Sequence, residues 1–222
     1  MDWNALVLSF ELAGCTILLL LPLGIWLARA LAWTRFRAKG AIEALVALPL
    51  VLPPTVLGYY LLVAFGKASP LGQAYEALTG QPLVFSFSGL LLASMLFNLP
   101  FAIQPLQRAF EGLPHHVREA AWVSGLSTWT TFWRVELPLA WPGLVSALAL
   151  TFAHTLGEFG VVLMVGGNIP GETRTVAIAI YDRVQAFDNA AAGLMSALLL
   201  VLSFTAIGTV YLLGTRRGQR HD

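Results

Sequence analysis

The chain has 222 residues, 57% of them hydrophobic and 11% charged, with a formal net charge of +1. An average soluble domain carries roughly 25% charged residues, so the composition excludes a soluble globular domain of this size, and the near-neutral balance excludes a nucleic-acid partner. Five stretches lack Asp, Glu, Lys and Arg altogether: 12–28, 44–66, 77–107, 137–157 and 189–215. A bilayer-crossing helix needs about 20 apolar residues, and inside lipid each backbone polar group must be satisfied within the protein. The stretches therefore predict an all-α membrane protein with five transmembrane helices. The lone Cys15 lies in the first stretch, which leaves no intrachain disulfide.

In chain order, the first span is predicted at about 6–28. Glu11 sits near one end, Pro22 predicts a kink, and Trp26 and Trp33 suit an aromatic belt at the other end. A cleaved signal peptide is disfavoured, because residues 1–10 hold no Lys or Arg while Arg29, Arg35, Arg37 and Lys39 follow the span. The second span, about 42–65, contains Pro49, Pro53 and Pro54. It reads equally as a kinked packing helix or as a bent helix lining a pathway. The loop from Gly66 to Gln81 has room for a short helix around 71–78. The third span, about 87–107, places Ser94 and Asn98 on one helical face, open to interhelical hydrogen bonding or to a pore wall. Then comes a polar, helix-competent insert, 114–138. It predicts a helix from about 114 to 124 closed by Gly125, and a second short helix capped by Ser127 that runs to about Trp133. Leu137-Pro138 is expected to stop it. The fourth span, about 142–165, is the most polar: Thr151, Thr155 and Glu158 recur at steps of four and three, with His154 beside them. GEFG, 157–160, predicts a local helix break. An ionisable residue inside a span is a functional hypothesis by default, and Glu158 reads as a structural or gating residue, with direct substrate contact as the other reading. The segment 166–188 opens on a turn-rich GGNIPG run and has room for a short helix to about 187. The fifth span, about 192–214, leads into a basic tail.

Basic residues set the orientation. Arg29, Arg35, Arg37, Lys39, Arg108, Arg118, Arg134, Arg216, Arg217 and Arg220 fall on one side of the five-span plan; Lys67, Arg174 and Arg183 fall on the other. An excess of ten to three marks the cytoplasmic side. The N-terminus is thus expected outside, and the C-terminus and the 114–138 insert in the cytoplasm.

Within the insert, EAAWVSGLSTWTTFWRVELP runs from Glu119 to Pro138. Glu119-Ala120-Ala121, Gly125-Leu126, and Val135, Leu137 and Pro138 after a nine-residue gap resemble the cytoplasmic docking loop of permease subunits in ATP-binding-cassette importers. The alanines and the glycine remove side-chain bulk where another backbone would approach. LPLVLPPTVLGYYLL in the second span and GEFGVVLMVGGNIPGETRTVAIAIY at 157–181 extend the likeness over almost the whole chain, and it is similar to the molybdate permease subunits of bacterial and archaeal ABC importers. The sulfate and thiosulfate permeases share the EFG and GNIPG features. The resemblance implies one transmembrane domain over 1–222 in the bacterial or archaeal cytoplasmic (inner) membrane. It implies a second copy of this permease, two ABC ATPase subunits docked through the coupling loop, and an extracytoplasmic molybdate-binding protein. The cargo it implies is molybdate, with tungstate or sulfate as alternatives. Ser94, Asn98, Thr151, Thr155 and Glu158 are the expected pathway or gate residues.

No catalytic residue, cofactor or metal site is expected. The chain has no Gly-x-x-x-x-Gly-Lys-Ser/Thr loop for ATP, and His115 and His116 are adjacent rather than four apart. Two other classes stay open on residues alone. An intramembrane enzyme would use His154 and Glu158 as acid and base, and a proton-coupled secondary transporter would use Glu158.

Overall fold

The computed structural model describes residues 2–34 and 36–218. Arg35, Arg220 and the side chains of Arg216 and Arg217, four of the basic residues weighed above, lie outside the described set. Among the described residues the chain is all helix, without a strand. Three helices are long and apolar enough to cross a membrane: α1 (Trp3–Trp33), α5 (Phe87–Glu111) and the Asn189–Thr209 portion of the last helix; there are up to five crossings if two bent pairs each count as one. At 1.5 Å per residue α1 is about 46 Å long, so it overruns a hydrocarbon core of about 30 Å and carries Arg29 and Trp33 beyond it.

The second apolar stretch is not one helix. It forms α2 (Lys39–Val51) and α3 (Pro54–Phe65), bent by 113° between them. Leu52 precedes a proline and is extended, with ψ 136°, as the clash with the proline ring requires. Pro53 and Pro54 offer no N–H to continue the ladder. A short α4 (Pro70–Thr79) follows, capped by the Ser69 hydroxyl, which accepts from the Gly72 amide at 2.9 Å. Pro100 and Pro105 both lie inside α5 without ending it.

The insert folds as α6 (His115–Val123) and α7 (Thr128–Thr131), then a π-helical turn over Phe132–Glu136, then α8 (Leu137–Leu139). The expected stop at Leu137-Pro138 does not occur. The π turn shifts the bonding so that Leu137 donates to Phe132, and the chain enters Pro138, which has no N–H, without a break. The helix ends one step later, at Ala140, and α9 (Trp141–Gly157) leaves at a 70° bend. The expected fourth span over 142–165 is also divided: α9 ends at Gly157, and α10 (Gly160–Gly166) is a separate piece after the break that GEFG predicted. α11 (Val176–Gln185) and α12 (Asn189–Gly218) complete the chain.

The core is built on α5. α1 packs along it, α9 packs against both, and α12 lies on α9 and α11. Close approach of α9 to α5 depends on Gly143, where a methyl group would stand 2.7 Å from the Pro105 carbonyl oxygen and nearer still to Ala109 Cβ. Small residues at such contacts are the usual means of close helix packing in lipid. α10 fills the space between α3 and α5; Val161 and Val165 are fully buried there with Leu61, Phe65 and Phe97. A second cluster, with Ala28, Leu31, Leu106, Phe110, Phe132 and Leu144, lies where α1, α5, the insert and α9 converge.

Candidate functional site

Two groupings gather the residues singled out in the sequence. The first is the insert. α6 closes in a Schellman motif: Leu126 donates to Ala121 at 3.1 Å and Gly125 to Trp122 at 2.9 Å. Gly125 holds φ +80°, a conformation that glycine adopts without the steric cost of a Cβ. The Ser127 hydroxyl accepts from the Thr130 amide at 3.2 Å and caps α7. Glu119, Ala120, Gly125 and Pro138 are exposed; Leu126, Val135 and Leu137 are half-buried; Ala121 is buried. The Glu119 side chain makes no hydrogen bond to a neighbouring amide among the described residues. Together with Val123, which is 90% exposed, these residues leave one side of α6 and its cap uncovered, with little bulk on it.

That surface is fixed from below by a carboxylate absent from the expected site residues. Glu136, in the π turn, is fully buried. Arg29 of α1 grips it with two bonds, Nε to Oε2 at 2.5 Å and Nη2 to Oε1 at 3.2 Å. Arg118 of α6 donates Nε to Oε1 at 2.9 Å. The Arg118 guanidinium lies over the rings of Trp33 (4.1 Å) and Trp122 (4.9 Å), and Arg29 lies over Phe132 (5.4 Å). A buried carboxylate requires such compensation, and bidentate arginine pairing also fixes geometry. Sequence reasoning used Arg29 and Arg118 only to orient the chain. The available signal was one acid, Glu136, directly before an apolar stretch whose neighbouring segments supply arginines.

The second grouping is a polar seam between α1, α5 and α9. Ser94, Asn98, Thr151 and Thr155 are all buried, as is Glu158. Asn98 Nδ2 donates to the Ser94 carbonyl (2.8 Å) and to Thr155 Oγ1 (3.1 Å), and Thr16 of α1 donates to Ser94 Oγ at 2.9 Å. Thr155 donates back to the Thr151 carbonyl at 2.8 Å. His154 is stacked between Phe97 and Phe101, at 4.7 and 4.0 Å, with Nδ1 3.1 Å from Asn98 Oδ1. Thr16 is the member that sequence reasoning missed. Glu158 stands apart: its Oε1 accepts from the Val161 amide at 2.8 Å and caps α10 across the break. In this arrangement the seam joins α1 to α5 and α5 to α9.

At the end of the molecule away from the insert, Asn168 links Asp182 (2.8 Å) to Arg174 (2.6 Å), and the Val176 amide donates to Ser9 of α1 at 2.8 Å. A cleft of about 460 Å³ opens there, lined by Glu11, Tyr75, Gln81, Ser86 and Glu172 among others. Among the described residues no three His, Cys, Asp or Glu are grouped so as to hold a metal ion.

Comparison with known proteins matches residues 21–218 to the family described as binding-protein-dependent transport system inner membrane component. The molybdenum transport system permease protein ModB of Azotobacter vinelandii is 50% identical over 210 residues, which is 95% of this chain and 93% of that protein. The protein of the same name from Escherichia coli (strain K12) is 36% identical over 184 residues, 83% of this chain and 80% of the relative. Among solved structures, a bacterial alginate ABC transporter in complex with an alginate pentasaccharide-bound periplasmic protein matches 96% of this chain and 79% of its own, with a TM-score of 0.73 at 17% identity. At that identity the likeness carries the fold alone.

Proposed function

The chain belongs to the family of binding-protein-dependent transport system inner membrane components, and from that membership we propose that it forms the translocation pathway of an ABC importer for molybdate. It is a transport subunit, not an enzyme; ATP hydrolysis falls to a separate ATPase. The observation that carries the reading is the half-identical molybdenum permease relative, aligned over nearly the full length of both chains.

Five crossings, with each bent pair as one span, agree with the ten-to-three distribution of basic residues. On this reading the N-terminus lies outside, the C-terminus lies in the cytoplasm, and residues 1–222 form one transmembrane domain. The uncovered Ala120–Gly125 side of the insert, with Glu119, Ala121, Leu126, Val135, Leu137 and Pro138 around it, is the proposed docking face for the ATPase. Two permease copies would meet two ATPase copies, and an extracytoplasmic molybdate-binding protein would seat on the opposite end. Closure of the ATPases on ATP would move the docking helices and exchange outward for inward access. The energy comes from the partners' different affinities for the two states. Ser94, Asn98, Thr151 and Thr155 are proposed as the gate seam, which holds α1, α5 and α9 in register in one state and yields in another. Glu158 pins α10 beside it.

The thirteen Lys and Arg lie outside the charge-free stretches, so the apolar spans offer an anion no fixed cation at mid-depth. Burying a dianion without compensation is very costly, and selection therefore belongs to the external binding protein. In proteoliposomes holding the assembled complex, binding protein loaded with molybdate should stimulate ATP hydrolysis. Tungstate-loaded protein should also stimulate, and sulfate should do so weakly. Equal stimulation by free oxyanion without any binding protein would overturn this account, and preference for sulfate would reassign the cargo.

A further inference from the structure

We propose that Glu136 is a positioning residue that joins the insert to the first membrane helix, so that displacement of α6 is delivered to α1, and through α1 to α5, before it reaches α9. The inference rests on the permease reading. It goes further by naming which membrane helix receives the motion and through which atoms.

Continuity of the chain suggests otherwise, because the insert runs directly into α9. That connection is weak as a lever. The turn before it is π-helical, and the helix axis breaks at Ala140 with a 70° bend. Neither transmits a push along an axis as an unbroken α-helix would. The side-chain connection runs elsewhere. Arg118 projects from the middle of α6 to Glu136, and Glu136 is gripped by the Nε–Nη2 edge of the Arg29 guanidinium from α1. Trp33, one turn beyond Arg29, meets the Arg118 guanidinium on its ring and the His115 ring at its edge, 5.3 Å between centroids. Every tie from α6 to α1 described here therefore converges on the last two turns of α1. The carboxylate is fully buried, and the two arginine side chains are 25% and 14% exposed. Water does not reach the carboxylate, and removing its arginine partners leaves an unpaired buried charge. A planar guanidinium bonded through two atoms resists rotation, which a lysine ammonium does not. Nearer its middle, α1 lies along α5 and contributes Thr16 to Ser94 of the polar seam. α1, which carries Pro22 between Thr16 and Arg29 without ending there, thus connects the docking face with the gate seam through two named side-chain contacts.

The test uses the assembled permease, ATPase and binding protein in lipid. Cysteines at Thr34 and His116, both exposed, in a Cys15→Ser background, carry a pair of spin labels that report the distance from the end of α1 to α6. In the unaltered joint that distance should stay constant between nucleotide-free and ATP-bound states, while labels between His116 and α9 change. Arg29→Lys keeps the charge but loses the fork. It should leave ATPase co-purification and basal hydrolysis near normal, make the α1–α6 distance nucleotide-dependent, and lower oxyanion transported per ATP about tenfold. Glu136→Gln should act in the same direction. Should neither variant assemble, the nucleotide response of the unaltered pair still decides. An α1–α6 distance that changes on ATP binding, or full coupling in Arg29→Lys, would overturn the proposal. Failure of the unaltered chain to bring down an ATPase would instead count against the permease reading.

Discussion

Gly125 shows how one backbone angle shapes a surface. At φ +80° it turns the chain out of α6, and the space around a Cβ placed there is open. A larger residue would therefore be opposed by conformation inside the chain, at about 1–2 kcal/mol for a left-handed L-residue, and by bulk only against a partner. Gly125→Trp is expected to insert and fold with a modest loss of stability yet fail to retain the ATPase. Co-purification from membranes checks this, and a Gly125→Trp complex that transports at the unaltered rate would remove the docking assignment. Glu119 and Glu136 make the complementary point. Both are carboxylates of the same insert, but Glu119 is exposed with its acceptors free among the described residues, and Glu136 is fully buried on two arginines. The first is available to a partner, and the second positions the surface.

At the scale of elements, hydrogen bonds rather than apolar area specify how α1, α5 and α9 meet, because lipid solvates apolar side chains as well as a protein interior does. Asn98 is the shared member of the seam, in reach of Ser94, Thr155 and His154. Asn98→Leu should lower the stability of the detergent-solubilised chain by about 1 kcal/mol, in the range measured for such bonds in membrane proteins. A thermal unfolding midpoint unchanged by the substitution would show the seam to be incidental. Much at this scale was legible beforehand. The charge-free stretches located the long apolar helices, Gly125 and Ser127 announced the end of α6 and the start of α7, and GEFG announced the break before α10. The prolines were less legible, since Pro100 and Pro105 stay inside α5 while Pro53 and Pro54 divide α2 from α3. Single prolines remove one bond each from a long helix packed against its neighbours and leave it continuous. Two in succession, with Leu52 forced extended before them, remove the local ladder. Glu136 was illegible for another reason: its partners lie 18 and 107 residues away, and no local pattern encodes such a meeting.

For the whole molecule the open matter is which side each end faces. Reporter fusions after Lys39 and Pro138 are expected to give cytoplasmic signals, and fusions after Ser69 and Gly171 external ones. A cytoplasmic signal at Gly171 would mean that α9 with α10 does not cross, and the five-span proposal would fall. The bent second span also bears on how the chain is made. Its halves have 13 and 12 residues, each well short of the roughly 20 that a bilayer retains, and the polar backbone at the bend needs protein around it. Yet the element that seats α3 is α10, where Gly58 lies so close that a methyl there would meet Met164 and Val161, and α10 leaves the ribosome about a hundred residues later. At about 5–20 residues per second, α3 waits on the order of 5–20 s for α10, with the α5 side of its cluster, Ala93 and Phe97, made sooner. During that interval a nascent chain displays a half-packed bend, open to chaperones, the insertion machinery or premature proteolysis.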